Sequence, residues 1–135
     1  MAVNEIKVVF GGGLKVDAEY HGHLIRTDQP ARDGGEGTAP SPFDLFLASL
    51  ATCAGYYALA FCNGRRIPTG GLSVSLVTEK EMGAKTIGRM TIRLGLPAGF
   101  PEKYREAIVK AVDACAVKAH INNPPAFKVV VGPAE

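Results

Sequence analysis

Apolar and polar residues alternate over 2–10 (AVNEIKVVF) and 14–20 (LKVDAEY), with Gly11-Gly12-Gly13 between them. Period-two alternation on either side of a glycine turn predicts a β-hairpin. Residues 23–28 (HLIRTD), after His21-Gly22, extend it as a third short strand, and 29–40 (QPARDGGEGTAP) read as a loop on their glycine, proline and polar content. The pattern then changes. Phe43 to Phe61 carries one charge, Asp44, and is otherwise small or apolar. A run of that length reads as one long helix, and a helix apolar on all sides belongs inside a protein. Its start is marked three times: Ser41 as N-cap, Pro42 at the first helical position, and Asp44 three residues after the cap, completing a capping box. Asn63-Gly64 and Pro68 end it.

Alternation returns over 71–82 and 85–96, joined at Met82-Gly83-Ala84, which predicts a long hairpin with Glu79, Thr86, Thr91 and Arg93 on a wet face. Residues 101–116 (PEKYREAIVKAVDACA) are amphipathic: Tyr104, Ile108, Ala111, Val112 and Cys115 fall on one helical stripe, which places Cys115 on the buried face in the last turn. Asn122 to Pro125 is a turn, and 127–131 a closing strand. The order β-β-β-α-β-β-α-β, with strands in groups and helices apart, predicts an α+β fold with antiparallel sheet. No repeat or linker divides 1–135, so one domain is expected.

Composition narrows the classes of function. The chain has 135 residues, 47% of them hydrophobic, and a net charge of +2. That charge is too weak to argue for nucleic acid, and no basic cluster interleaves with aromatics. Residues 1–10 lack the basic and apolar regions of a signal peptide. Asp44, Ser49 and Thr52 make the apolar helix a poor membrane span, so neither a membrane nor a nucleic acid is an expected partner. Three cysteines without CxxC spacing suit neither a disulfide scaffold nor a zinc ribbon, and point to a reducing, cytoplasmic setting.

The candidate chemistry is therefore thiol chemistry. Cys53 sits in the middle of the long helix and Cys115 at the end of the second. Two readings stand: small buried hydrophobes, or a nucleophile with a partner thiol. Cys62, nine residues after Cys53, falls on the opposite side of the helix and reads as a packing thiol. Tyr56 and Tyr57 share the face of Cys53. They read either as core or as the lining of a pocket for an apolar ligand. Cys115 and His120 have no second pair to complete a metal site, and His21 and His23 read as an exposed pair on one sheet face, so no metal is expected.

SPFDLFLASLATC, preceded by a Gly/Pro-rich loop and followed by a hairpin and a second helix whose cysteine comes 62 residues after the first, resembles the OsmC/organic hydroperoxide resistance family. The resemblance covers about 28–131. It implies an intertwined homodimer whose long central helices lie back to back, wrapped by antiparallel sheets, with no cofactor. It implies a thiol-dependent peroxidase that reduces organic hydroperoxides or hydrogen peroxide in oxidative stress: Cys53 peroxidatic, Cys115 resolving, an external dithiol as reductant. The sequence also departs from the peroxidase members. Their glutamate position is Phe43 here, while the neighbouring Asp44 matches an acidic position of the YhfA-like subgroup. None of Lys15, Arg26 or Arg32 aligns with their arginine, and Ala116 follows Cys115 where a proline is usual. These departures motivate an alternative: a protein of the same fold that binds a small apolar ligand without turnover.

Overall fold

The computed structural model describes residues 1–132. Its chain order is β1 (Lys7–Phe10), β2 (Val16–Tyr20), β3 (His23–Ile25), a 3₁₀ turn (Ala31–Asp33), α1 (Pro42–Gly64), β4 (Ser73–Glu79), β5 (Arg89–Gly95), a 3₁₀ turn (Glu102–Tyr104), α2 (Arg105–Asp113) and α3 (Ala116–Asn122). The α+β class holds. The chain divides into two compact units, Met1–Ala48 and a second from Ser49 on, and α1 begins in the first and continues into the second.

The first unit is an antiparallel sheet in the order β1-β2-β3. Its first strand is shorter than the alternation over 2–10 predicts. The register pairs Lys7 with Glu19 and Phe10 with Val16, and β2 ends at Tyr20, so residues 2–6 meet no partner strand. The β2–β3 turn corrects the histidine reading. His21 (φ 49) and Gly22 (φ 77) are its two left-handed residues, the geometry of a tight hairpin turn. His21 is therefore in the turn and only His23 lies on a strand, although both are exposed as expected.

Asp28, expected on the third strand, instead anchors the loop that follows. Its side chain is 1% exposed. It accepts the Gln29 N–H at 2.7 Å, the Thr38 N–H at 3.1 Å and the Thr38 hydroxyl at 2.6 Å. The loop folds so tightly that a Cβ on Gly35 would lie 2.0 Å from the Gln29 carbonyl oxygen, so only glycine fits there. The Thr38 hydroxyl, then the Thr38 and Gln29 N–H groups, outweigh burial and hold the Asp28 carboxyl at about 2, below its ordinary 3.8. The folded value lies below the unfolded one. Ionised Asp28 thus stabilises the fold above the unfolded value, and this contribution is lost as pH falls from 3.8 towards about 2. In urea titrations at a series of acid pH values, Asp28→Asn should lose less stability than the native chain across that window. Equal losses in both proteins would show that Asp28 is not the source.

The start of α1 follows the capping box. Asp44 N–H donates to Ser41 Oγ at 3.2 Å, and Ser41 N–H donates to Asp44 Oδ2 at 3.1 Å. This reciprocal pair assigns Asp44 to helix initiation. Burial along α1 is one-sided, not all-round. Leu50, Ala54, Ala58, Phe61 and Cys62 form the buried stripe, while Thr52, Tyr56 and Leu59 on the other side are exposed.

In the second unit β4 and β5 pair in register from Ser73–Gly95 to Glu79–Arg89. Val74, Leu76, Ile92 and Leu94 are half-buried, while Ser73, Ser75, Thr91 and Arg93 are exposed, which is the predicted alternation. The connection is longer than Met82-Gly83-Ala84. Residues 80–88 form a loop closed by Gly88 N–H donating to the Glu79 carbonyl at 2.9 Å, with Met82 fully exposed at its tip. The core packs Ala54, Ala58, Phe61 and Cys62 of α1 with Ile67, Ile108 and Val112, and the inward side chains of the hairpin and Tyr104 close over it. Arg65 seals one end: its guanidinium lies 3.6 Å over the Phe61 ring and 5.4 Å from that of Tyr104, and Nη1 donates to the Phe61 carbonyl at 3.3 Å.

Two expectations at the C-terminal end are corrected. The helix over 101–116 is three pieces: the 3₁₀ turn, α2, and a break at Ala114-Cys115 before α3. Cys115 has extended backbone (φ −60, ψ 143), so it does not end a helix but begins one. Residues 127–131 form no strand, since among the described residues no strand pairs with them.

Candidate active site

All three cysteines carry free thiols, and each has a different environment. Cys53 lies on α1 at the margin between the buried stripe and the exposed side, and is half-buried. One turn earlier is Leu50, which is buried; three and four residues later are Tyr56 and Tyr57. Tyr56 is 64% exposed and stacks edge-on against Tyr57, with ring centroids 5.4 Å apart, while Tyr57 packs against the core. Tyr57 thus shares the margin on which Cys53 sits, with Tyr56 beside it on the exposed side. A half-buried thiol on a rigid helix is open to a small reagent yet fixed in direction, as a nucleophile requires.

Cys62 has no accessible surface and belongs to the core cluster. Burial pushes its thiol up, and the charge of Arg65 opposes that only in part. A thiol that is both enclosed and harder to ionise is a poor nucleophile, in keeping with a packing role.

Cys115 is also fully buried. It is the N-cap of α3, with Sγ accepting the Lys118 N–H at 3.4 Å and its carbonyl accepting the Ala119 N–H at 2.9 Å. A sulfur rarely serves as a helix cap, and neither Gly nor Pro marks the break, so periodicity alone could not reveal it.

A cavity of about 610 Å³ opens in this unit. Leu50 of α1, Leu76 of β4, Met90, Ile92 and Leu94 of β5, and Val109, Val112 and Ile121 of α2 and α3 give it apolar walls. Thr91, Asn122, and Asp113 with Lys118, an ion pair that bridges the α2–α3 break, supply its polar part. Its volume is in the range of small-molecule sites, and its apolar walls with a few polar groups are typical of them. Its residues flank both candidate thiols in sequence: Leu50 precedes Cys53 by one turn, while Val112, Asp113 and Lys118 bracket Cys115. Tyr56 and Tyr57 are not among its lining residues. The signal that could have found it is the inward alternation of β4 and β5 facing the apolar stripe of α2. Among the described residues no group of three or more His, Cys, Asp or Glu side chains is placed to hold a metal ion.

A family profile describing OsmC-like proteins matches residues 35–130. No curated protein matches the chain. Among solved structures, the chain is similar to a Psychrobacter arcticus protein described as a candidate osmotic stress induced and detoxification response protein. Identity is 21%, 88% of each chain is covered, and the TM-score is 0.72. It is similar to an OsmC-like protein from Mycoplasma pneumoniae at 15% identity, covering 91% of this chain and 89% of that one, with a TM-score of 0.69. It is also similar to an organic hydroperoxide resistance protein, OsmC, from Legionella pneumophila: 21% identity, 90% and 91% covered, TM-score 0.56. At these identities the likenesses show a shared fold.

Proposed function

Because the chain belongs to the OsmC-like family, we propose that it is a thiol-dependent peroxidase that reduces organic hydroperoxides or hydrogen peroxide, with Cys53 as the attacking thiol and Cys115 as the resolving one. The observation that carries this reading is the contrast between the two. Cys53 is half-buried on a rigid helix and open to a small oxidant, whereas Cys115 is shielded and already engaged as an acceptor.

The chemistry balances in three steps. The Cys53 sulfur attacks one peroxide oxygen, the O–O bond breaks, and the departing oxygen leaves as an alcohol or water, giving Cys53 sulfenic acid. The Cys115 sulfur then displaces water from that sulfenic acid and forms a disulfide. An external dithiol reduces the disulfide by exchange, returning both thiols. Phe43 stands where peroxidase members carry glutamate, so in this reading Cys53 attacks without that carboxylate beside it.

The assembly in this reading is a homodimer in the cytoplasm. The exposed side of α1, with Tyr56 and Leu59 at 64% and 43% exposure, is more apolar than an isolated surface helix needs, and a second copy of the helix would cover it. By length and composition α1 is also long and apolar enough to cross a membrane. Its packing against α2 and the β4–β5 hairpin instead supports the role of a core helix.

One test is direct. The reduced protein is treated with cumene hydroperoxide, quenched by alkylation and digested. A Cys53–Cys115 disulfide, with Cys62 recovered alkylated, is the expected product. Two unmodified thiols at 53 and 115 after consumption of the oxidant would sink the proposal. The cavity favours a second reading, a binder of small apolar ligands without turnover, since its lining includes neither cysteine. Saturable ligand binding with no peroxide consumption would select that reading.

A further inference from the structure

The cavity of the second unit gathers its charged groups at one corner. Its walls from α1, the β4–β5 hairpin and the middle of α2 are mainly aliphatic, with the Thr91 hydroxyl on the hairpin side. Asp113, Lys118 and Asn122 lie along the α2–α3 break, Lys118 and Asn122 one turn apart on α3. The charges there cancel. Lys118 Nζ donates to Asp113 Oδ1, and the lysine side chain is 35% exposed against 68% for that of Asp113. A lysine ordinarily carries its ammonium out to water. Here the Asp113 carboxylate holds it at the cavity wall. Met90, Val109 and Ile121 line the same cavity yet are 37%, 56% and 48% exposed, so the apolar interior is reachable from solvent.

We propose that this cavity binds an uncharged amphipathic small molecule: an aliphatic body with a head that both donates and accepts hydrogen bonds, as a primary amide does. The proposal deepens the reading of the chain as a small-ligand binder and rests on that reading, not on the thiol chemistry. The aliphatic walls take the body, and its burial drives binding. The head selects. The Asp113 carboxylate accepts hydrogen bonds and the Lys118 ammonium donates them. A head with an N–H and a carbonyl oxygen engages both and keeps the corner neutral. A carboxylate head would bring a second anion against Asp113, and an ammonium head a second cation against Lys118. Either would also lose its water on entering between apolar walls. A cavity built this way discriminates against charged amphiphiles of the same chain length.

Methyl-resolved NMR titration of the full reduced chain tests the proposal, with octanamide, octanoate and octylammonium as probes. Octanamide should give saturable shifts at the Met90, Val109 and Ile121 methyls and bind roughly ten-fold or more tightly than either charged probe. Val109→Trp, which fills the cavity from a wall position that is itself half-exposed, should weaken octanamide by a similar factor. Two charge variants separate the role of the head from plain apolar burial. Asp113→Asn leaves Lys118 uncompensated and should make octanoate the tightest of the three. Lys118→Met leaves Asp113 uncompensated and should do the same for octylammonium. Equal affinities for the three probes, or an order of preference that neither charge variant moves, overturns the proposal while a less selective apolar binder still stands. No response of the lining methyls to any probe, as when a second copy already fills the cavity, overturns both. The peroxidase reading is scored separately, by disulfide formation on peroxide in the absence of the probes.

Discussion

Cys53→Ser is expected to lower dithiol-dependent organic hydroperoxide turnover by roughly 10³-fold or more in kcat/KM, the scale of loss when a nucleophile is removed. Only an ionised sulfur attacks peroxide at a useful rate, and a serine hydroxyl does not ionise near neutral pH. The substitution is nearly isosteric at a half-buried margin of α1, so the fold should survive it, and circular dichroism and the unfolding midpoint serve as controls. Two companions make the result specific. Cys62→Ser should leave peroxide turnover near the native rate, because that thiol lies in the core on the opposite side of the helix. Cys115→Ser should still consume one equivalent of peroxide in a single turnover but accumulate sulfenic acid, which a dimedone-type reagent traps. Full activity in Cys53→Ser, measured by peroxide loss with a dithiol present, would end the assignment of that residue.

The second large effect concerns stability. Ile108→Ala is expected to destabilise the protein by about 2–5 kcal/mol, and Ile108→Val by about 0.5–1.5 kcal/mol. Ile108 is the largest of the fully buried side chains and sits in the cluster formed with Ala54, Ala58, Phe61, Cys62, Ile67 and Val112. The α1 side of this cluster is built from small residues. Alanines cannot extend to fill the space that a shortened side chain leaves, and collapse of the helices onto one another is limited by Phe61. The cavity penalty should therefore approach the upper end of the range. Urea denaturation at fixed protein concentration checks it, through a lowered midpoint with an unchanged slope. A loss below the valine value for the alanine variant would mean that the core repacks freely.

The parts of this molecule that depend on neighbours in sequence were readable from it. Ser41, Pro42 and Asp44 specify the start of α1 by local hydrogen bonds, and those bonds form. The alternation in β4 and β5 separates Val74, Leu76, Ile92 and Leu94 from Ser73, Ser75, Thr91 and Arg93, because the pleat enforces it. Where the deciding partner is distant, local pattern fails. Ala114-Cys115-Ala116 contains no helix breaker, so one amphipathic stripe ran through a break that burial of Cys115 and its sulfur cap impose. Asp28 looked like the end of a strand, since its real partner, Thr38, is ten residues away across a loop. Of the candidate site, the two cysteines were readable as candidates from the sequence. The cavity wall was not, because it is assembled from α1, the hairpin and two helices that periodicity had merged into one.

The exposed segment 127–131 bears on colloidal behaviour. Phe127, Val129, Val130 and Val131 are between 70% and 102% exposed, and the window holds one charge, Lys128. Short, β-prone, weakly charged windows of this kind seed cross-β association when left open. The run is followed by Gly132 and Pro133 and preceded by Pro124-Pro125, residues that interrupt such stacking. Lys128 thus acts as a gatekeeper inside the window and the prolines as stops outside it. The sequence at this end carries its own protection against fibrillation for as long as the segment lies open.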